Sequence, residues 1–210
     1  MAIIPNRIYI RYLNVQHWTN EKEAALIGHL TETDPDIILI TSTSKLQQDK
    51  PIQFFNYLVF TSNKRNERHA GCAIAIKKGI IFEIKNNFIS DCIAAKIQTT
   101  HGPIIVMTAY SPPRINALPH QDINYLIRNN LPTIMAADLN ARHNILGYAR
   151  SRNAKGIQMN DLIYNNRLNH IGPNFNTYFT AISETKPDII LTNNRFYMNH
   201  HNHSGGMVQQ

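Results

Sequence analysis

The sequence predicts an α/β fold in which two β-sheets pack face to face and helices cover their outer faces. Many short strand-like segments recur along the 210 residues, and only a few segments have helical periodicity. No repeat, linker or low-complexity block divides the chain, whose length suits one domain with a substantial core. Because no glycine-rich turn follows the first strand, a simple dinucleotide-binding fold fits poorly. We therefore expect one domain over residues 1–210, built as a four-layer α/β sandwich.

The predicted strands combine an alternating first segment with continuous apolar runs. Ile8, Ile10 and Tyr12 alternate with polar residues, which is the pattern of a half-buried strand. Further strand-like segments are continuous apolar runs. These runs are DIILIT (36–41), NYLVFT (56–61), PTIMAAD (132–138) and PDIILTN (187–193).

Turn residues between neighbouring segments predict two hairpins. CAIAIKKG (72–79) leads through a glycine turn into IIFEIK (80–85). CIAAKIQ (92–98) and PIIVMTAY (103–110) flank the turn Thr-Thr-His-Gly. Both hairpins would supply antiparallel strands to the predicted sheets.

Helical periodicity is confined to segments between the strands. In Asn20–Thr33 the apolar residues share one face, and Asn20 with Glu23 predicts a cap at the N-terminus. The other predicted helices are His120–Asn129 and Ile157–Asn166. Their apolar faces would cover the sheets.

The composition favours a basic globular protein with a polyanionic partner. Hydrophobic residues make up 43% and charged residues 17%, which is a globular balance. The net charge of +7, from 21 Lys+Arg against 14 Asp+Glu, suits a nucleic acid.

No apolar stretch approaches the roughly 18 residues of a spanning helix and the N-terminus lacks a signal peptide's apolar region, so no membrane partner is expected. Cys72 and Cys92 fit no metal spacing, and we expect buried free thiols in a reducing, intracellular compartment.

Polar side chains stand at the ends of several predicted strands. Asn14 ends the first strand, and Tyr110 ends another. Asp138 and Asn140 follow an apolar run, and Asp188 opens the last predicted strand. Strands end in turns and turns are polar, so each residue alone has an ordinary structural explanation. Together, in this order, they match a specific pattern.

This order of residues resembles the endonuclease/exonuclease/phosphatase superfamily, which includes DNase I, apurinic/apyrimidinic endonucleases and the endonuclease domains of non-LTR (LINE-type) retrotransposons. The retrotransposon branch is the most similar, and the similarity spans nearly the whole chain. The pairing of DLNARH with a downstream PDIIL is its most specific part. The matching blocks are YLNVQHW (12–18), PDIILITSTS (35–44), AYSPPR (109–114), DLNARHNILG (138–147), N-x-x-G (153–156), DLIYNNRLNHIGPNFNTYFT (161–180) and KPDIILTN (186–193). The resemblance implies the DNase I-like sandwich.

The resemblance also implies an activity. Members of the retrotransposon branch nick one DNA strand with Mg²⁺, or with Mn²⁺ as an alternative ion, and leave a 3′-hydroxyl. That hydroxyl primes reverse transcription, which implies a reverse transcriptase fused to or encoded with this domain and a nuclear site of action. A phosphatase of the same superfamily is disfavoured by AYSPPR and by a basic loop near Asp138.

Roles for the strand-end residues follow from the resemblance. Asp138 would orient or deprotonate the attacking water, and Asn140 would hold that water or the scissile phosphate. Tyr110 would donate its phenol to the phosphate, and Asp188 would hold a catalytic histidine in its charged form. A helix or turn cap remains the alternative for Asp138, and a strand turn remains the alternative for Asp188.

One departure from the superfamily pattern concerns the metal. The strand at 36–41 should end in a tripeptide whose Glu is the main magnesium ligand, but Ser42 occupies that place. Asn14 and Asp138 would still hold Mg²⁺, more weakly because a charged oxygen ligand is missing. The alternative function is therefore a DNA-binding domain of the same fold with weakened or lost catalysis.

A second departure lies in the tail at 199–210, which is expected to be irregular. The superfamily's last motif is Ser-Asp-His, but here Asn202 precedes His203, the nearest match to the catalytic histidine. His201 is the rival histidine. Replacing an acidic residue by Asn202 again lowers the negative charge expected near the metal.

A basic loop after Asp138 is the predicted phosphate-binding surface. Its residues are Arg142, His143, Arg150, Arg152 and Lys155. A merely solvated basic face is the alternative. Thr177 and Thr185 are further predicted contacts to the DNA backbone, although any threonine-rich loop would look alike.

Overall fold

Strands predominate in this chain, with helices placed between some of them. The computed structural model describes residues 2–15, 19–43, 54–62, 71–148, 151–165, 168–172, 178–179, 184–185 and 188–193. The strands are β1 (Ile10–Asn14), β2 (Ile37–Thr41), β3 (Tyr57–Thr61), β4 (Cys72–Lys77), β5 (Phe82–Lys85), β6 (Asp91–Thr99), β7 (Gly102–Tyr110), β8 (Thr133–Asp138), β9 (Asn169–Gly172), β10 (Tyr178–Phe179), β11 (Glu184–Thr185) and β12 (Asp188–Thr192). The helices are α1 (Asn20–Thr33), α2 (His120–Arg128) and α3 (Ala154–Tyr164), with a 3₁₀ turn at Asn144–Leu146.

The strands form two large mixed sheets. One has four strands in the order β1-β2-β4-β3, and the other has six in the order β5-β6-β7-β8-β12-β9. β10 and β11 form a separate two-stranded ribbon. β1 and β2 are parallel and joined through α1, while β7 and β8 are parallel and joined through α2. The carboxyl ends of each parallel pair therefore lie at the same edge of their sheet.

The two sheets pack face to face, as the side chains of β2 illustrate. Ile37 and Leu39 are buried in one cluster with Ile93 of the six-stranded sheet. Ile38 and Ile40 point to the opposite face and pack with residues of α1. Burying one such side chain contributes roughly 1.5–3 kcal/mol. A continuous apolar run is thus required, because both faces of β2 are covered.

Helices cover the outer face of each sheet. Ile123 of α2 and Met159 of α3 lie in a buried cluster with Met107 and Met135 of the six-stranded sheet. Leu26 of α1 belongs to the cluster on the four-stranded sheet. The predicted four-layer α/β sandwich is confirmed.

One of the two predicted hairpins is wrong. β4 pairs with β2 and β3, whereas β5 pairs with β6, so the two strands lie in different sheets. The turn between them, with Gly79 at φ 98°, carries the chain from one sheet to the other. Ile80 is buried in the cluster between the sheets, which favours this crossing. The second predicted hairpin is confirmed, since β6 and β7 are antiparallel neighbours.

The helix starts differ slightly from the prediction. Thr19, and not Asn20, caps α1, with its Oγ1 accepting from Lys22 N at 3.3 Å. α3 begins before the predicted Ile157, because the side chain of Asn153 caps it. Both caps supply a side-chain acceptor to backbone N–H groups that the helix leaves unpaired.

Both cysteines are free and buried, as predicted. Burial raises the pKa of the Cys72 thiol and of the Cys92 thiol well above the usual range, so both stay protonated near neutral pH. Within the described ranges, no helix combines the length and the apolar character needed to cross a membrane.

Candidate active site

The polar strand ends meet at one edge of the two-sheet core. Asn14 lies opposite Thr41, because β1 and β2 run parallel and end together. In the other sheet Asp138 lies opposite Tyr110 on one side and opposite Asp188 on the other. The face-to-face packing of the sheets then brings both sets together.

Asn14 joins the two sheets at this edge. Its Nδ2 donates to Asp138 Oδ2 at 3.0 Å and to Asp188 Oδ1 at 2.9 Å. Both carboxylates are buried, with exposed fractions of 6% and 4%. An amide that donates to two carboxylates holds them close together but leaves their charges in place. The sequence prediction selected these three residues, and the fold brings them into direct contact.

Tyr12 also reaches across from β1 to the six-stranded sheet. Its hydroxyl donates to Asp188 Oδ1 at 2.7 Å and lies 2.8 Å from Thr41 Oγ1. Because the phenol has one proton and that proton points to Asp188, Thr41 donates to Tyr12. Burial, and then the charge of Asp188, raises the pKa of Tyr12 well above 10, so the phenol remains a donor. The sequence did not predict this role of Tyr12, because the alternation in β1 indicates only a core position for it.

Asn140 fixes the second oxygen of Asp138. Its backbone N–H, at 3.3 Å, and its Nδ2, at 2.9 Å, both donate to Asp138 Oδ1. The same Nδ2 donates to Ser111 O at 3.2 Å. Asn140 has a φ of 50°, in the left-handed region that Asn tolerates better than most residues. The tight turn therefore brings the amide back onto the carboxylate and sets its orientation.

The surroundings of Asp138 favour its protonated form. Burial, followed by the charge of Asp188, raises the pKa of Asp138 to about 7, against opposing effects of hydrogen bonds from Asn14 and Asn140 and of the Lys155 charge. A carboxyl group with a pKa near neutrality is well suited to accept a proton from water. A bound cation would stabilise the same pair of carboxylates in their charged form.

The oxygen atoms at this edge fit a hard divalent cation. Oδ1 of Asn14 is buried and, among the described residues, accepts no hydrogen bond. Ser42 follows β2 directly, has a φ of 60° and is 8% exposed. Asn14, Asp138 and the Ser42 hydroxyl would hold the ion through oxygen, the donor type that Mg²⁺ prefers. In the described part of the chain no group of three or more His, Cys, Asp or Glu side chains could hold a metal ion.

Lys155 does not lie on the DNA-facing surface that was predicted for it. Its side chain is 2% exposed. Its Nζ lies 2.7–3.1 Å from four acceptors, which are the carbonyls of Ser111, Pro112 and Leu139 and the Ser111 hydroxyl. Burial lowers the pKa of the Lys155 ammonium to about 8. Closeness in sequence to the arginines suggested a shared surface, but the first turn of α3 points this side chain inward.

The other predicted DNA-binding residues have mixed positions. Arg142 and Arg152 are exposed. His143 is largely buried, and its Nδ1 accepts from Ile145 N at 3.4 Å, which caps the 3₁₀ turn. Arg114, which the prediction did not include, is exposed on the loop after β7. Thr185 lies in β11, whereas Arg150, Thr177, His201, Asn202 and His203 lie outside the described residues.

The N-x-x-G motif at 153–156 fastens α3 to the loop after β8. Asn153 Oδ1 accepts from Gly156 N at 2.8 Å and from Arg142 N at 2.9 Å. Asn153 Nδ2 donates to Asn140 O at 2.7 Å. A Cβ atom on Gly156 would lie only 1.8 Å from Arg142 O, so the close approach requires glycine.

Gly156→Ala should therefore destabilise the protein by about 1–3 kcal/mol, because the added methyl group overlaps backbone. Urea denaturation measures the change in free energy of unfolding. The matched control is Gly28→Ala in α1, where an added Cβ meets nothing within 4 Å. That control should be neutral or stabilising, since Ala is the better helix former. Equal stability of Gly156→Ala and the wild type would contradict the close contact.

Comparisons with known proteins identify the fold. Neither protein-family models nor curated proteins give a match to the sequence. Among solved structures, the endonuclease domain of TRAS1, a telomere-specific non-LTR retrotransposon, is similar with a TM-score of 0.73 and 16% identity, over 90% of this chain and 86% of that chain. An AP endonuclease from Archaeoglobus fulgidus is similar with a TM-score of 0.63 and 18% identity, over 89% and 87% of the two chains. The human Nocturnin catalytic domain is similar with a TM-score of 0.56 and 13% identity, over 91% and 84%. The chain therefore has a DNase I-like fold.

Proposed function

We propose that this chain is a metal-dependent endonuclease that nicks one strand of DNA. The observation that carries the proposal is the contact of Asn14 with both Asp138 and Asp188 at the edge where the strands end. Tyr110 is paired with Asp138 in the sheet and lies at the same edge. The DNase I-like fold is shared with nucleases, which supports hydrolysis of a phosphodiester as the reaction.

Asp138 is the general base in this proposal. A water molecule attacks phosphorus and its proton passes to Asp138. The bond from phosphorus to the 3′ oxygen breaks, and that oxygen takes a proton from solvent, which gives a 3′-hydroxyl and a 5′-phosphate. Hydrogen bonds from Asn14 and Asn140 hold the carboxylate oxygens in a fixed direction, which removes rotational freedom before reaction. Bound Mg²⁺, or Mn²⁺, would supply positive charge against the charge that develops on the phosphate.

The remaining residues of the site position groups around the phosphate. The Tyr110 phenol donates to a phosphate oxygen, and Asn140 holds the water or the scissile phosphate. Tyr12 and Asn14 fix Asp188 Oδ1, so that this carboxylate can orient a histidine. The proposed histidine, His203 or its rival His201, lies outside the described residues.

We further propose that the endonuclease serves a non-LTR retrotransposon. It is supported by the similarity to the TRAS1 endonuclease domain together with the order of the motifs AYSPPR, DLNARH and PDIIL. The nicked 3′-hydroxyl would then prime a reverse transcriptase fused to or encoded with this domain, with chromosomal DNA in the nucleus as the target.

A second candidate function is DNA binding with weakened or lost catalysis. Ser42 favours it, because this hydroxyl replaces a charged metal ligand at the end of β2. An assay for nicking of supercoiled plasmid with Mg²⁺, with Mn²⁺ and with EDTA separates the two functions. Nicking that EDTA abolishes supports the endonuclease, whereas DNA binding without any nicking supports the second function.

Binding to duplex DNA should weaken steeply between about 50 and 200 mM salt, because cations of the protein release counterions from DNA. Arg142→Ala should reduce the slope of log affinity against log salt by about one. Lys77→Ala is the control, since Lys77 ends β4 at the opposite edge and pairs with Asp34. Fluorescence anisotropy with a labelled duplex measures both slopes. A salt-independent affinity, or no binding at low salt, would exclude DNA as the partner.

A further inference from the structure

We propose that Lys155 is a positioning residue that fixes the two catalytic loops to each other. Its buried ammonium donates to the carbonyls of Ser111 and Pro112, in the loop after β7, and to the carbonyl of Leu139, in the loop after β8. The Ser111 hydroxyl completes the set at 2.9 Å. This role rests on the nicking activity proposed above, although the physical contacts do not depend on it.

The partners of Lys155 explain why a lysine is buried here. An ammonium has three donors and is costly to bury unless oxygen atoms surround it. The three carbonyls lie beyond the ends of β7 and β8, where the chains separate from the ladder that would otherwise satisfy them. The Lys155 ammonium supplies hydrogen-bond donors to these carbonyls, and the carbonyls supply acceptors to the ammonium. The buried charge is therefore accommodated without a hydrogen bond to a carboxylate.

The loops that Lys155 joins begin directly after two of the proposed catalytic residues. Ser111 directly follows Tyr110, and Leu139 directly follows Asp138. Ser111 N also donates to Asp138 O at 2.9 Å, so the two chains run side by side from the strand ends. Movement of either loop would therefore change the distance between the Tyr110 phenol and the Asp138 carboxylate.

Asn153 reinforces this positioning from the same turn of α3. It donates to Asn140 O at 2.7 Å and accepts from Arg142 N at 2.9 Å. Asn140 is thereby held in its left-handed conformation, from which its amide reaches Asp138 Oδ1. The segment Asn153–Gly156 thus acts on the active site without contact to the substrate.

Hydrogen exchange of the metal-free protein tests this role directly. Lys155→Met keeps the length of the side chain and removes its donors and charge. Amide exchange at Ser111, Ile115 and Asn140, which donate within these loops, should accelerate at least about tenfold. Core amides should be unaffected. In the nicking assay kcat should fall while KM for DNA stays within about twofold, because Lys155 touches the loops and not the substrate.

The control is Tyr57→Phe, which removes a different buried hydrogen bond. The Tyr57 hydroxyl donates to Pro35 O at 2.6 Å, and Tyr57 begins β3 at the opposite end of the four-stranded sheet from Asn14 and Thr41. It should lower stability without accelerating exchange in the two catalytic loops. If Lys155→Met does not fold, Ser111→Ala decides the question, because it removes only the hydroxyl acceptor and should accelerate the same amides about threefold.

The outcomes separate this role from the proposed activity. Unchanged exchange in both loops, in Lys155→Met or in Ser111→Ala, would overturn the positioning role. An equal loss of kcat in Lys155→Met and Tyr57→Phe would also overturn it, since general destabilisation would then explain both. Faster loop exchange in a protein that never nicks DNA would support the positioning of the loops and refute the endonuclease activity instead.

Discussion

Asp138→Asn should abolish nicking and, at the same time, make the metal-free protein more stable above pH 7. Loss of a positioned general base lowers a rate roughly 10²–10⁴-fold. Stability should change in the opposite direction, because Asp138 is buried beside Asp188 and its charge is unfavourable in the folded protein. Asparagine keeps an oxygen that can accept from Asn140 and removes the charge.

The sign of the stability change follows from the pKa. Folding raises the pKa of Asp138 from an ordinary value of 3.8 to about 7, so the folded protein binds the proton more tightly. The wild type therefore loses stability as pH rises from about 4 to about 7, and the loss is complete above that range. The variant escapes this loss, which is roughly 2–4 kcal/mol, or roughly 5–15 °C in Tm for a chain of this size.

Thermal denaturation in EDTA at pH 4 and pH 8 measures this difference. The two proteins should be nearly equal at pH 4 and clearly different at pH 8. Asp161→Asn is the matched control, because Asp161 is an exposed carboxylate on α3. It should change neither Tm nor nicking. Nicking by pure Asp138→Asn protein at the wild-type rate would show that the activity arises elsewhere.

The sequence was sufficient to predict the layers and to select strand-end residues that lie together in the fold. An apolar run such as 36–41 is typical of a strand buried on both faces, and β2 is such a strand. Asn14, Asp138 and Asp188 are far apart in sequence, but each stands where a strand meets the edge of a sheet. Parallel pairing and sheet packing then bring them together.

What the sequence could not predict depends on contacts between distant elements. A glycine turn between two strand-like segments has the same local sequence whether the strands form a hairpin or belong to two different sheets. β4 and β5 belong to different sheets. Lys155 has basic neighbours in sequence, yet the direction of a side chain on α3 is set by what the helix packs against. Tyr12 acquires its role only when Asp188 approaches from the other sheet.

Ser42→Glu should lower the Mg²⁺ concentration for half-maximal nicking by roughly 10–100-fold. Ser42 is buried and directly follows β2, whose last residue, Thr41, is paired with Asn14. A glutamate there adds a charged oxygen ligand to a site that now offers Asn14 and Asp138, and hard cations bind carboxylates most strongly. A tenfold to hundredfold change corresponds to about 1.4–2.7 kcal/mol of binding free energy.

The metal-free variant should also be less stable than the wild type, because a third buried carboxylate would join Asp138 and Asp188. Added Mg²⁺ should restore its Tm and raise it more than that of the wild type, since tighter binding to the folded state gives more stabilisation.

Ser42→Gln is the matched control, with the same size and no charge. Magnesium titrations of nicking and of Tm on the three proteins measure both effects. Coincident curves for Ser42→Glu and Ser42→Gln would mean that position 42 does not contribute a ligand, and the weak-metal explanation of this chain would then have to be abandoned.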